Sequence, residues 1–144
     1  MTKQLVLVSH GHFCEELKKS TEMIMGPLDF VHTVPLLPEE GIDDFTAKFL
    51  ATVKDLDDYI VFADLLGGTP CNVVSRLGTP CNVVSRLILE GLQIELYAGM
   101  NMPMVIEFIN SALTGVEAKY IEKANKYIVK VNDVLAEMND DEDE

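Results

Sequence analysis

Short apolar runs alternate with segments of helical periodicity, and this alternation restricts the fold more than any other feature of the chain. The runs Leu5-Val6-Leu7-Val8 and Tyr59–Ala63 are continuously apolar and rich in Val, as in strands buried on both faces. Residues 30–37 and 93–98 are also strand-like. Strands that alternate with helices build βαβ units around a mostly parallel sheet. We therefore predict a single doubly wound α/β domain with helices on both faces of the sheet.

Helical periodicity between the strands predicts which apolar side chains face the core. The first helix, Phe13–Met25, ends at Gly26, and its predicted inward residues are Phe13, Leu17, Met23 and Ile24. The second helix follows Gly41, and its predicted inward residues are Ile42, Phe45, Phe49, Leu50 and Val53. Further helices are predicted from Pro103 to about Leu113 and over residues 116–126, with a last short strand over residues 127–131.

Length and charge limit the classes of function. A chain of 144 residues suits one domain, which we assign to residues 1–133, followed by an acidic tail at 134–144 whose last residues, 140–144, are expected to be frayed. The net charge of −13 argues against binding to nucleic acid or anionic lipid. The three cysteines form no CxxC metal site or disulfide framework. Without a signal-peptide pattern or a long apolar run, the expected location is the cytoplasm.

Polar or glycine-rich loops follow three of the predicted strands. They are Ser9-His10-Gly11, residues 64–70 and Gly99-Met100-Asn101. In an open α/β sheet, ligands bind beyond the carboxyl ends of the strands. These loops therefore predict the position of a functional site.

His10 and Asp64 are the candidate catalytic pair. Imidazole is nucleophilic near neutral pH, and Asp64 is placed to accept a hydrogen bond from His10 Nδ1 and leave Nε2 free to attack. Gly67, Gly68 and Thr69 can turn N–H groups and a hydroxyl toward an anion at a helix N-terminus. Together these residues suit a phosphohistidine, and no lysine-bearing P-loop accompanies them.

Simpler interpretations exist for His10 and Asp64. A histidine after a strand is more often a hydrogen-bonded loop residue, and an Asp before two glycines is usually a turn former. His12 is expected to begin a helix in contact with water, and His32 to be structural. The alternating methionines between 100 and 104 are interpreted as core packing rather than a metal site.

Four motifs, in order, resemble the mannose-family EIIA component of the bacterial phosphoenolpyruvate-dependent sugar phosphotransferase system. They are Val8-Ser9-His10-Gly11, Glu22-Met23-Ile24-Met25-Gly26, Asp64-Leu65-Leu66-Gly67-Gly68-Thr69-Pro70-Cys71-Asn72 and Gly99-Met100-Asn101-Met102-Pro103-Met104. The resemblance extends from Leu5 to about Val131.

This resemblance implies a phosphoryl carrier of the mannose, fructose and sorbose class. His10 would accept phosphate from the phosphocarrier protein HPr and pass it to a IIB component, with membrane IIC and IID components involved only indirectly. Asp64 would orient His10, and Thr69 would contact the phosphoryl group. No metal or organic cofactor is implied. Family members are commonly homodimers that exchange a C-terminal strand, which would be residues 127–131 here.

Three alternatives remain open at the level of sequence. A regulatory EIIA-like protein would use the phosphohistidine as a signal, and the phosphotransfer subunit of a dihydroxyacetone kinase has a related domain. A binding module without phosphotransfer is the third. The transported sugar is not encoded in this chain, because specificity lies in the membrane components.

The string GTPCNVVSRL occurs twice in succession, over residues 68–87. The family pattern has one copy, so a tandem duplication of ten residues is the simplest explanation. We predict that the first copy occupies the site, because it keeps the double glycine, and that the chain is irregular near residues 77–81. If the second copy were used instead, Thr79 would replace Thr69.

Overall fold

The computed structural model describes residues 3–78 and 94–142, and strands and helices alternate as predicted in the described part up to residue 114. In chain order, the elements are β1 (Gln4–His10), α1 (Phe13–Met25), β2 (Val31–Leu36), α2 (Ile42–Val53), β3 (Tyr59–Ala63), α3 (Thr69–Gly78), β4 (Glu95–Ala98), α4 (Met102–Thr114), α5 (Tyr120–Lys126) and α6 (Val131–Glu142). No helix in these ranges is long and apolar enough to cross a lipid bilayer.

The four strands form one parallel sheet in the order β2-β1-β3-β4. The chain leaves β1 toward β2 on one side and leaves β3 toward β4 on the other. Between β1 and β3 the connections therefore diverge, which opens a crevice at the carboxyl ends of these strands. His10 ends β1 and Asp64 directly follows β3, so the topology brings both residues to that crevice.

Alternate residues of the strands face two separate cores. Leu5, Leu7 and Phe62 pack against α1, α4 and α5 on one face. Val6, Val8 and Val61 pack against α2 and α3 on the other. Helices cover both faces, so the predicted doubly wound architecture is confirmed. The methionines at 100 and 104 are buried in the first core, as predicted.

The predicted inward faces of the first two helices are partly wrong. In α1 the buried residues are Cys14, Leu17 and Thr21, and the predicted Phe13, Met23 and Ile24 are exposed. In α2, Phe45, Phe49 and Val53 are buried as predicted, whereas Ile42 and Leu50 are exposed. The buried residues of each helix recur every three or four positions, and Met23 and Leu50 lie outside these stripes. Phe13, Ile24 and Ile42 keep the same spacing but are exposed in the first or last turn of their helices.

The strand predicted over residues 127–131 is also wrong. The N–H of Tyr127 donates to the carbonyl of Ala124, and the N–H of Ile128 donates to that of Asn125. These bonds continue the last turn of α5, so the two N–H groups are not available to pair with a neighbouring strand. Helix α6 begins at Val131 and occupies most of the segment assigned to the acidic tail. The domain boundary at residue 133 itself stays a prediction.

The first copy of the repeat forms most of α3. Its Cys71, Val73 and Val74 are buried in the second core, and Leu77 packs against that core. The helix continues through Gly78, so the irregularity predicted near residues 77–81 is absent at its first two positions. Residues 79–81, and Thr79 with them, lie outside the described part of the chain.

Replacing Phe49 tests the second core. Phe49 is fully buried, whereas the adjacent Leu50 is 40% exposed. We expect Phe49→Ala to lower the free energy of unfolding by about 3–5 kcal/mol, because the lost burial leaves a cavity. Leu50→Ala, as the matched control, should cost about 1 kcal/mol or less. Urea denaturation measures both values, and similar losses in the two variants would contradict this packing.

Candidate phosphoryl-transfer site

A buried serine shapes the loop that carries His10. Ser9 is the last strand residue before His10 and is fully buried. Its hydroxyl donates to the carbonyl of Gly11 (3.1 Å) and accepts a hydrogen bond from the N–H of Cys14 (2.8 Å). Gly11 has a φ of 57°, in the region that favours glycine. Ser9 therefore ties the end of β1 to the first turn of α1 and fixes the position of His10 between them.

Asp64 holds His10 at two points. Asp64 Oδ2 lies 2.8 Å from His10 Nδ1 and accepts a hydrogen bond from the His10 backbone N–H at 3.0 Å. An ionised carboxylate only accepts hydrogen bonds, so in the neutral imidazole Nδ1 carries the proton and Nε2 keeps its lone pair. The His10 side chain is 48% exposed, whereas that of Asp64 is 12% exposed. Asp64 is thus better protected from solvent than the histidine that it contacts.

The other carboxylate oxygen of Asp64, Oδ1, has no hydrogen-bond partner among the described residues, so the contacts of the carboxylate with His10 matter more. Oδ1 is also buried. Buried carboxylate charge is costly unless it is compensated. The contacts from His10 provide that compensation, so any positive charge on the imidazole would be stabilised by Asp64.

Gly68 lies close to the imidazole ring of His10. A Cβ atom added at Gly68 would lie 2.6 Å from His10 Cε1 and 3.3 Å from Nε2, so only glycine permits this approach. The Gly68 N–H donates to the carbonyl of Leu65 at 3.1 Å. The sequence predicts instead that this N–H group points toward an anion. Gly67 has a φ of 86°, which also favours glycine.

Helix α3 begins one residue after Gly68, at Thr69. The first N–H groups of a helix have no acceptor within the helix, and the helix dipole adds partial positive charge there. Thr69 is half-buried in this first turn. Because His10 Nε2 lies close to Gly68, this nitrogen is near the start of α3.

The remaining candidates have structural roles. His12 precedes α1 with a 66% exposed side chain, as predicted, and its Nδ1 also contacts Glu15. His32 contacts Gln4 through Nε2 at 2.8 Å, and partial burial lowers its pKa. Asn101, in the third polar loop, caps α4 by accepting a hydrogen bond from the N–H of Met104. Burial raises the pKa of the Cys14 thiol, which disfavours a reactive thiolate.

Two residues near the site had no assigned role in the sequence. Ser9 is one, and its signal was a hydroxyl in an otherwise apolar buried strand. Asn72 is the other. It donates from Nδ2 to the carbonyl of Gly67 at 3.1 Å, a contact that spacing alone does not reveal.

A family model described as the PTS system fructose IIA component matches residues 4–77, just over half of the 144-residue chain. The chain belongs to this EIIA family. The match ends at Leu77, the last residue of the first repeat copy, and it contains His10, Asp64 and the start of α3. The mannose-family resemblance is therefore confirmed.

Individual relatives agree with this assignment. The EIIA-family chain is 29% identical over 110 residues to the PTS system mannose-specific EIIAB component of Escherichia coli (strain K12). The aligned region covers 74% of this chain and 31% of that protein. It is 28% identical over 109 residues to the PTS system fructose-specific EIIA component of Bacillus subtilis (strain 168), covering 74% of this chain and 68% of that protein. The chain thus spans about a third of the length of the mannose-specific relative.

A solved structure extends the similarity to nearly the whole fold. The PTS IIA protein associated with the fucose utilization operon from Streptococcus pneumoniae matches with a TM-score of 0.75 and 26% identity. The match covers 94% of this chain and 97% of that chain. The parallel sheet and its helices are therefore shared with a phosphotransferase-system protein.

Proposed function

We propose that this chain is the phosphoryl carrier of a sugar phosphotransferase system, with His10 as the residue that bears phosphate. The observation that carries the proposal is the 2.8 Å contact between His10 Nδ1 and Asp64, which leaves Nε2 as the free nucleophile. The His10 side chain is 48% exposed, and its Nε2 lies close to Gly68, next to the N-terminus of α3, where an anion is stabilised.

Transfer occurs in two matched displacements. In the first, the bond between phosphorus and its donor atom on HPr breaks as the bond to His10 Nε2 forms, and the electron pair of the broken bond stays on HPr. In the second, a nucleophile of the IIB component displaces His10 in the same way. The protein contributes positioning and charge stabilisation, which are the main sources of catalysis in phosphoryl transfer. Asp64 keeps the Nδ1 proton in place and stabilises the positive charge that the ring gains.

Thr69 is proposed to donate a hydrogen bond to the phosphoryl group, while Gly67 and Gly68 shape the loop around it. Thr69→Val removes the hydroxyl and keeps a β-branched side chain, so we expect transfer to slow by about tenfold. Thr79→Val is the matched control in the second repeat copy and should leave the rate unchanged. If only Thr79→Val slowed transfer, the second copy would provide the phosphoryl contact.

An apolar and acidic surface surrounds His10 and suits docking of a protein partner. Phe13, Leu65 and Leu66 are 48%, 59% and 80% exposed. Glu15 and Glu16 lie in the first turn of the adjacent α1. HPr and IIB are the proposed partners on this face, and an acidic carrier would attract a basic partner. Such a carrier would act in the cytoplasm.

A homodimer is proposed through the C-terminal segment. Tyr127, Ile128 and Val129 are 53–70% exposed, which is unusual for three consecutive apolar residues. A second copy of the chain would remove this surface from water. Light scattering at several concentrations tests this, and a monomer at all of them would exclude it.

Reconstitution tests the function as a whole. The purified chain should take up phosphate from phosphorylated HPr and release it to a IIB component, and the IIB that accepts it would identify the class of sugar. Uptake without release to any IIB would favour a regulatory phosphohistidine protein. Uptake only within a dihydroxyacetone kinase assembly would favour that alternative, and no uptake from any donor would leave a binding module.

A further inference from the structure

The peptide group that joins Gly67 and Gly68 is held at both ends. Its carbonyl, on Gly67, accepts a hydrogen bond from Asn72 Nδ2 at 3.1 Å. Its N–H, on Gly68, donates to the carbonyl of Leu65 at 3.1 Å. A glycine pair is otherwise the most conformationally free sequence available to a loop. These two hydrogen bonds therefore restrict the backbone conformation at Gly67 and Gly68, where no side chain does so.

Asn72 makes a second contact with the same loop. Its backbone N–H donates to the carbonyl of Gly68 at 2.9 Å. The Asn72 side chain and main chain thus hold consecutive carbonyl groups, those of Gly67 and Gly68. Helix α3, which buries its neighbours Cys71, Val73 and Val74, gives Asn72 a rigid base for both contacts.

The orientation of this loop determines where the His10 ring can lie. Asp64 fixes the ring only at Nδ1, so the ring can still tilt about that hydrogen bond. Gly68 lies close to the ring, because a Cβ atom built on it would be 2.6 Å from His10 Cε1. A loop that moves away would release the ring, and Nε2 would lose its alignment with the start of α3.

We propose that Asn72 is a positioning residue for phosphoryl transfer, acting through the Gly67–Gly68 peptide to hold the His10 ring against Gly68. The inference rests on the proposed function, but its structural part can be measured without any phosphate. Asn72 makes no contact with the phosphoryl group in this role. Misplacement of a reacting atom by about 1 Å can cost on the order of 100-fold in rate.

The repeat offers a matched control for the test. Asn82 has the same ten-residue context in the second copy, so Asn72→Ala and Asn82→Ala make the same chemical change at two places. Asn72→Asp is a second variant, which keeps the size of the side chain and removes its N–H donor. Circular dichroism and the melting temperature verify that each variant folds.

Two measurements decide the proposal. In the unphosphorylated full chain, NMR should show a strong nuclear Overhauser effect between His10 Hε1 and a Gly68 Hα proton. Phosphorylation from phosphorylated HPr gives the transfer rate. We expect Asn72→Ala and Asn72→Asp to lose the Overhauser effect and to transfer phosphate about tenfold more slowly or worse. Asn82→Ala should match the unmodified chain in both measurements.

The outcomes separate this proposal from the proposed function. If both Asn72 variants retain the Overhauser effect or the full rate, Asn72 is not a positioning residue. Equal effects from Asn82→Ala would likewise overturn the assignment to the first copy. If the unmodified chain accepts no phosphate, the proposed function fails, and the Overhauser effect still decides whether Asn72 holds Gly68 against His10.

Discussion

His10→Ala should abolish the uptake of phosphate from phosphorylated HPr. The variant loses the only side chain proposed to form a bond to phosphorus, so no slower route through the same site remains. The fold should be preserved, because the His10 side chain is 48% exposed and contributes little to either core. A phosphate-transfer assay with radiolabelled HPr measures the loss directly.

His12→Ala is the matched control for this variant. His12 is two residues away and its side chain is 66% exposed, but its contact is to Glu15 rather than to Asp64. We expect His12→Ala to accept phosphate at close to the normal rate. Uptake by His10→Ala, or loss of uptake only in His12→Ala, would assign the phosphate to a different residue.

Asp64→Ala should slow phosphate uptake by on the order of 100-fold or more without abolishing it. Two hydrogen bonds to His10 are lost, one at Nδ1 and one at the backbone N–H. The ring can then adopt the tautomer with its proton on Nε2. In that tautomer Nε2 has no free lone pair and cannot attack phosphorus. The positive charge of the phosphorylated ring also loses its compensating carboxylate.

Asp58→Ala controls for the loss of one negative charge. Asp58 is exposed and lies just before β3, at the opposite edge of the sheet from Asp64. Stopped-flow or quench kinetics with phosphorylated HPr should give a normal rate for Asp58→Ala. Equal rates in the two variants would exclude Asp64 from the proposed site.

The central part of the site could be predicted from the sequence because it follows from the topology. Continuous apolar runs identify β1 and β3, and the residues just after such strands meet at one edge of a parallel sheet. The contact between His10 and Asp64 is confirmed by the 2.8 Å distance between their side chains. The predicted use of the first repeat copy likewise agrees with the start of α3 at Thr69.

Other details depend on three-dimensional contacts that a linear pattern does not contain. Tyr127 and Ile128 have high strand propensity, yet their N–H groups bond to the last turn of α5. Met23 lies outside the buried stripe of α1, and Ile24 keeps the spacing of the stripe but is exposed in the last turn, so helical periodicity misassigned both. The Gly68 N–H was expected to face an anion, whereas the turn back to Leu65 engages it.

The position of the phosphoryl group on the imidazole tests the account most directly. NMR of the 15N-labelled chain after phosphorylation by HPr distinguishes a phosphorus–nitrogen bond at Nε2 from one at Nδ1. We predict that the phosphate is on Nε2 of His10, with the proton still on Nδ1 beside Asp64. Phosphate on Nδ1 of His10, or on any other residue, would contradict the account.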